Sequence, residues 1–339
     1  MSNSAACRRI GIVSIALIAV CLAPWARGPA AAATPNHGGP WIATHDADHP
    51  WLGRIADLGS EGWVDPSTLI ERLRRASFVL LGEQHDHPDH HRLEAWVIGE
   101  LARGGRRPAV FLEMLPLDRR PALDRFWRGG SREVADFYDA VGWEKLGWGS
   151  RALWEPLFET LLAANLRPRA ADLARVAGAG HPPAGHPRPE GHALPEPQRV
   201  ALAETIREAH CGVLDAAGVD RMVRFQRARD AQLARVLAEH NAPQRILVAG
   251  AGHVRRDRGV PYQLREHPEK EARGVVSVGF LPVDPAFSGS PVFREINANF
   301  ALDFVWWTPR HDLRDPCERF QKALEGLRRK NTPRDEGTP

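Results

Sequence analysis

Apolar residues fall along this chain in short unbroken runs, with stretches of helical spacing between them. Residues 77–82 (SFVLLG) and 108–113 (PAVFLE) are continuous apolar segments, the pattern of strands buried on both faces of a parallel sheet. Between them, Leu93, Val97 and Leu101 recur at helical spacing over 91–103, which predicts a strand, helix, strand unit with a right-handed crossover. Helices are expected over 154–166 and 219–240, the second carrying Met222, Phe225, Leu233 and Val236 along one side. Residues 168–171, 245–250 (RILVAG), 275–280 and 300–306 supply further strands, and 315–327 a closing helix. The sum is an α/β fold in one domain over 34–329, a central mostly parallel sheet flanked by helices, with 330–339 as a frayed tail. Residues 178–197 are so rich in Gly, Pro and His that they predict a long exposed loop, where His181, His186 and His192 offer metal donors only at an ordering cost.

The beginning of the chain changes the expected compartment. Arg8 and Arg9 precede an apolar run over 10–22, and small residues follow at 30–33, the pattern of a secretion signal cleaved after about Ala33. That run is short for a bilayer span and is followed by Pro24 and Arg27; lipidation of Cys21 is the one route to membrane association, against which Val20 stands where a small residue is usual. No later segment approaches roughly 20 consecutive apolar residues, so an exported chain, soluble in the periplasm or attached to the envelope, is expected. Two cysteines survive cleavage, Cys211 and Cys317; in an oxidising compartment they either bridge or stay as buried thiols, and the sequence does not choose. With 43% hydrophobic and 26% charged residues a core can form, and a net charge of +3 gives no reason to expect a nucleic-acid partner.

Candidate chemistry gathers at the strand ends. Gly82-Glu83-Gln84-His85 closes the first strand and Gly250-Ala251-Gly252-His253 a later one, so one Gly-x-x-His arrangement occurs twice. Ligands of open parallel sheets bind beyond the carboxyl ends of the strands, which directs both histidines to one edge. Glu113 ends the second strand of the unit, where a carboxylate is costly unless paired, hydrated or bound to a cation, and Asp172 is placed similarly. Glu83, His85, Glu113 and His253 therefore make a candidate set for a divalent ion of the manganese or zinc kind. Gly82, Gly250 and Gly252 allow sharp turns and close approach of a ligand. In the run 86–91 (DHPDHH), Asp89 is expected to cap the following helix, His90 to accompany His85 into the pocket, and His87 and His91 to lie on the surface.

These residues sit in blocks that resemble the ChaN family of haem-binding uptake proteins, within the superfamily that also holds the Tiki proteases. The resemblance covers LLGEQHDHPDHH at 80–91, FLEM at 111–114, AHCG at 209–212, QRARDAQLA at 226–234, VAGAGHVRRDRGVPYQL at 248–264 and DFVWWTPRHDLRDPCERF at 303–320. It implies haem as ligand, bound cofacially between two protomers of a homodimer with tyrosine on the iron. Only Tyr138 and Tyr262 are available for that role, and Tyr262, nine residues after His253, is the better placed. Histidine is an alternative axial ligand, either His85 or His253. Trp143, Trp148 and Trp154 offer aromatic walls or ordinary core, and Arg255, with Arg256 and Arg258, offers charge for propionates.

Two readings of different class follow. The first is an extracytoplasmic haem or iron carrier using His85, His253, Tyr262 and Arg255. The second is a metal-dependent hydrolase in which Glu83, His85 and His253 hold the ion and Glu113 acts as base on its water. A third, an envelope scaffold without chemistry, fits the paired histidines less well.

Overall fold

The computed structural model describes residues 39–174, 191–266, 274–285, 293–319 and 321. The segment expected to be a signal, Cys21, His181, His186 and the tail lie outside the described residues.

Strands β1 (Ile55–Asp57), β2 (Gly62–Val64), β3 (Phe78–Glu83), β4 (Ala109–Pro116), β5 (Pro168–Asp172), β6 (Arg245–Gly250), β7 (Val275–Pro282) and β8 (Phe304–Thr308) form one sheet in the order β2-β1-β8-β7-β3-β6-β4-β5. From β8 to β5 every pairing is parallel, and β1 and β2 add an antiparallel hairpin on β8. The six expected strands are all present because each apolar run is long enough to be buried on both faces. The hairpin went unforeseen: three residues per strand leave no alternation to read. One boundary is corrected, since Phe300 ends a helix over Phe293–Phe300 and the last strand starts only at Phe304.

The helices are α1 (Pro66–Arg75), α2 (Pro88–Arg103), α3 (Arg120–Gly129), α4 (Val134–Val141), α5 (Arg151–Ala163), α6 (Glu196–Ala209), α7 (Ala216–Glu239) and α8 (Val260–Gln263). One face of the sheet packs Val79, Leu81, Val110 and Leu112 against Leu93, Val97, Trp154, Leu157 and Phe158 of α2 and α5. The other packs Leu80, Leu247 and Ala249 against Leu233, Val236 and Leu237 of α7. Among the described residues no helix is long and apolar enough to cross a membrane. Cys211 and Cys317 are joined in a disulfide with Cα atoms 5.8 Å apart, which decides between the two alternatives left open for them.

Chain order places the site. From β3 the chain runs outward to β4 and β5, then returns to insert β6 between β3 and β4 before continuing outward the other way through β7 and β8. The strand order therefore reverses beside β3 and β6, a switch point whose carboxyl-end crevice is where such sheets carry their sites. Glu83 and Gly250 are register partners at that end.

Candidate functional site

Glu113 is the centre of the constellation. It lies in β4 just past the last β6 pair, Leu112 with Val248, where the register against β5 also shifts between Leu112 and Pro116. Such an irregularity re-aims side chains, and the Glu113 carboxylate meets four groups. Arg229 of α7 bonds its Oε1, the Gly250 amide donates to Oε2 at 2.7 Å, His253 Nε2 stands 3.4 Å from Oε1 and His85 Nε2 3.8 Å. Arg229 also reaches Asp172 at the end of β5, 2.8 Å from Oδ2. Gly250 lets the imidazole approach closely, since a Cβ here would stand 3.0 Å from His85 Nε2. Gly82 is needed for packing against Val254, whereas Gly252 faces open space.

Each histidine is anchored at Nδ1 by its own carboxylate. His85 Nδ1 is 2.7 Å from Glu83 Oε1, and His253 Nδ1 is 2.6 Å from Asp230 Oδ1, so both present Nε2 toward Glu113. Gln226 of α7 lies 3.0 Å from His253 Nε2. Burial alone would push both imidazoles down, yet Glu113 with Glu83 lifts His85 to about 9, and Glu113 with Asp230 lifts His253 to about 10. Burial would likewise raise Glu113, but His253, Arg229 and His85 hold it well below the ordinary carboxylate range. Unfolded, both histidines titrate near 6.5. Between that pH and 9 to 10 the folded chain holds the extra protons, so their contribution to stability is intact below 6.5 and is lost as pH rises through the folded values. Melting temperature should accordingly fall between pH 6.5 and 10, and His253→Gln should flatten that fall; an equally steep fall in the variant would remove His253 from the explanation.

Beneath this layer lies a drier one. His91 Nδ1 stands 3.2 Å from both Glu83 and Glu94, and its Nε2 donates to the His85 carbonyl at 3.1 Å. Among the described residues, Glu83, His91 and Glu94 are the group that brings three ligand atoms within 4.8 Å of one another. Burial raises both carboxylates, and among the described residues Glu94 Oε1 has no hydrogen-bond partner. Two carboxylates in so dry a site share a proton or take a cation.

The expected quartet Glu83, His85, Glu113 and His253 is thus present but divided. Glu83 is shared, its Oε1 with His85 and its Oε2 with His91 beside Glu94, and Glu113 already has a guanidinium. Asp172 joins the site through Arg229. His91 and His87 are corrected from surface to interior. His87 caps α2 by accepting from the Asp89 amide and bonds the Pro309 carbonyl at 2.7 Å, while Asp89 holds the amides of Ile42 and Ala43. His90 turns to Thr308 Oγ1 at 2.9 Å.

Neither tyrosine is brought to Glu113. Tyr138 is buried and donates to the Arg151 carbonyl, and Tyr262 donates to the Ala193 carbonyl at 3.0 Å. Arg255 pairs with Asp257, Arg256 with Asp303, and Arg258 donates to Thr205. Trp143 and Trp154 are core, and Trp148 stands edge-on to His85 with centroids 4.7 Å apart. The His85 side chain is 37% exposed, against 5% for His253 and 1% for Glu113, so His85 is where this cluster meets solvent.

The family model described as haem-binding uptake, Tiki superfamily, ChaN, matches residues 69–264. Among solved structures, ChaN of Campylobacter jejuni, described for its cofacial haem binding, aligns with a TM-score of 0.58 at 21% identity, covering 74% of this chain and 95% of that one. That likeness shows the α/β fold. The type III effector HopBA1 aligns at 0.40 with 13% identity, covering 71% of this chain and 92% of that one. The RRSP effector domain of a Vibrio vulnificus MARTX toxin aligns at 0.38 with 16% identity, over 76% and 42%. No curated protein matches the chain. With its model matched over more than half of the sequence, the chain belongs to the ChaN family of haem-binding uptake proteins in the Tiki superfamily.

Proposed function

We propose that this protein binds haem outside the cytoplasm as part of haem or iron uptake, with His85 as the iron ligand. One observation carries the choice of residue: His85 is the half-exposed member of a buried cluster, with an indole at its side and its Nδ1 fixed on Glu83. A metal-ligating histidine ordinarily has its second nitrogen held by a carboxylate in this way, which sets the tautomer and leaves Nε2 for the metal. Bound haem would supply an iron centre there. Family membership supports the ligand class, and the Cys211–Cys317 disulfide, with the signal-like first residues, supports an oxidising compartment.

Ferric haem should give a saturable shifted Soret band, with affinity at least about tenfold weaker in His85→Ala and little changed in Tyr262→Phe. Because the imidazole must shed its proton to ligate, and holds it to about pH 9, binding should tighten as pH rises toward that value. Wild-type affinity in His85→Ala would remove His85 as ligand; no saturable band at any pH would remove the haem reading.

A second reading has its own observation. Two histidine–carboxylate pairs flank one ionised glutamate, which is an acid–base arrangement suited to hydrolysis. Arg229 supplies at Glu113 the positive charge that a divalent ion was expected to supply, so a hydrolase built here would place any ion at Glu83, His91 and Glu94. About one manganese or zinc per chain, lost in His91→Ala, together with ester or peptide turnover abolished by His253→Ala, would favour it.

A further inference from the structure

At the edge strand β5, away from Glu113, a pocket of about 390 Å³ opens between α3, the start of β5 and the end of α7. Arg120, Arg167 and Arg169 line it, with Trp127 and His240. Three guanidiniums in one pocket repel each other, and the repulsion is felt: burial, then Arg167 and Arg120, push Arg169 below the ordinary arginine value. Two carboxylates share the lining. Asp124 offsets part of the charge on Arg169, and Glu239 is engaged by Arg235 at 3.1 Å.

The hydrogen-bonding inventory is one-sided. Among the described residues, Arg169 Nε and Trp127 Nε1 are both buried without a hydrogen-bond partner, and both are donors. His240 accepts the Ala242 amide at Nδ1, so in its neutral form its remaining nitrogen carries the proton and is a donor too. A buried donor left unpaired is costly, and among the lining side chains the two carboxylates, Asp124 and Glu239, are the only acceptors besides His240 Nδ1, which the Ala242 amide already occupies. Arg132 and Arg167 stand over the Trp127 ring at 4.8 and 5.5 Å, which holds the indole as a wall of the pocket.

We propose that this pocket is a binding site for a small oxyanion-bearing molecule, a carboxylate or a phosphate, gripped by Arg169 and Arg167 beside Trp127. The guanidinium fork matches either anion with paired hydrogen bonds, and a planar ligand gains contact with the indole. This site does not rest on haem binding, since none of its lining residues is a member of the Glu113 cluster.

Calorimetric titration of the purified protein with inorganic phosphate, and separately with benzoate, tests it. Wild-type protein should bind at least one saturably, the tighter of the two identifying the anion class. Arg169→Gln should weaken binding about tenfold or more, the loss expected when a charge-assisted pair is removed. Should Arg169→Gln fail to fold, Arg167→Gln, at an exposed position, serves in its place and should weaken binding in the same direction. Salt dependence at constant pH should accompany binding. Absence of saturable binding of both anions, or equal affinity in the folded variants and the wild type, overturns the proposal.

Discussion

Arg229→Met should cost about 3 kcal/mol or more of folding stability, a large share of the roughly 5–15 kcal/mol a domain possesses. The guanidinium is only 13% exposed and serves two carboxylates that are nearly sealed from water, Glu113 at 1% and Asp172 at 4%. Removing one partner from a buried ion pair leaves the other as an uncompensated charge, which is why such deletions typically cost about 3–5 kcal/mol while the intact pair itself contributes little. The lower end is expected here, because His85 and His253 remain as cations beside Glu113.

The same argument fixes the pH dependence. Arg229 is among the cations that hold Glu113 well below its ordinary value. Without it the folded carboxylate takes up a proton more readily, so the deficit of the variant should shrink as pH falls through the carboxylate range. Urea unfolding at pH 7 and at pH 5 measures this, and Arg229→Met combined with Glu113→Gln should recover part of the loss at pH 7. A deficit below about 1 kcal/mol, the size of an exposed pair, would mean that Arg229 is not the cation on which Glu113 depends.

Arg229 also shows where sequence reading stops. Glu83, His85, Glu113 and His253 were legible because a polar residue directly after an unbroken apolar run is an anomaly that demands a partner. Gln226, Arg229 and Asp230 sit inside a 24-residue helix, where charged side chains ordinarily read as a solvated face. A signal was nevertheless present. Their spacing of i, i+3, i+4 puts them on one face, and Asp230 lies next to buried Ala231, Leu233 and Ala234, the last two packed against the sheet. Charges that intrude on an apolar stripe suggest a site. His87 and His91 misled for the opposite reason. A histidine-rich helix start reads as surface, whereas the Pro309 carbonyl covers His87, and Glu83, Glu94 and the Trp154 ring enclose His91.

Loss of the Cys211–Cys317 bridge should be the other large effect. The two cysteines are 106 residues apart, so the bridge closes a long loop, and the chain-entropy argument assigns about 4–5 kcal/mol to a loop of that length. Measured values run lower, about 2–4 kcal/mol, because the reduced unfolded chain retains some structure. What the bridge ties down is specific. Cys211 follows α6 in the left-handed region at φ 53°, and Cys317 lies in the short helix Pro316–Arg319, so the bond holds the turn before α7 to a late segment of the chain. That late segment carries Arg319, which pairs with Asp86 at 2.7 Å immediately beside His85. Cutting the bridge should therefore loosen the mouth of the site before the sheet itself gives way. Reductant, or the pair Cys211→Ser and Cys317→Ser, should lower the melting temperature by on the order of 10 °C, and amide exchange should speed up first around residues 84–87 and 311–319. A melting temperature insensitive to reductant would mean that the two thiols are not bridged in the folded protein, and an exchange increase confined to 209–218 would mean that the bond supports α7 rather than the site.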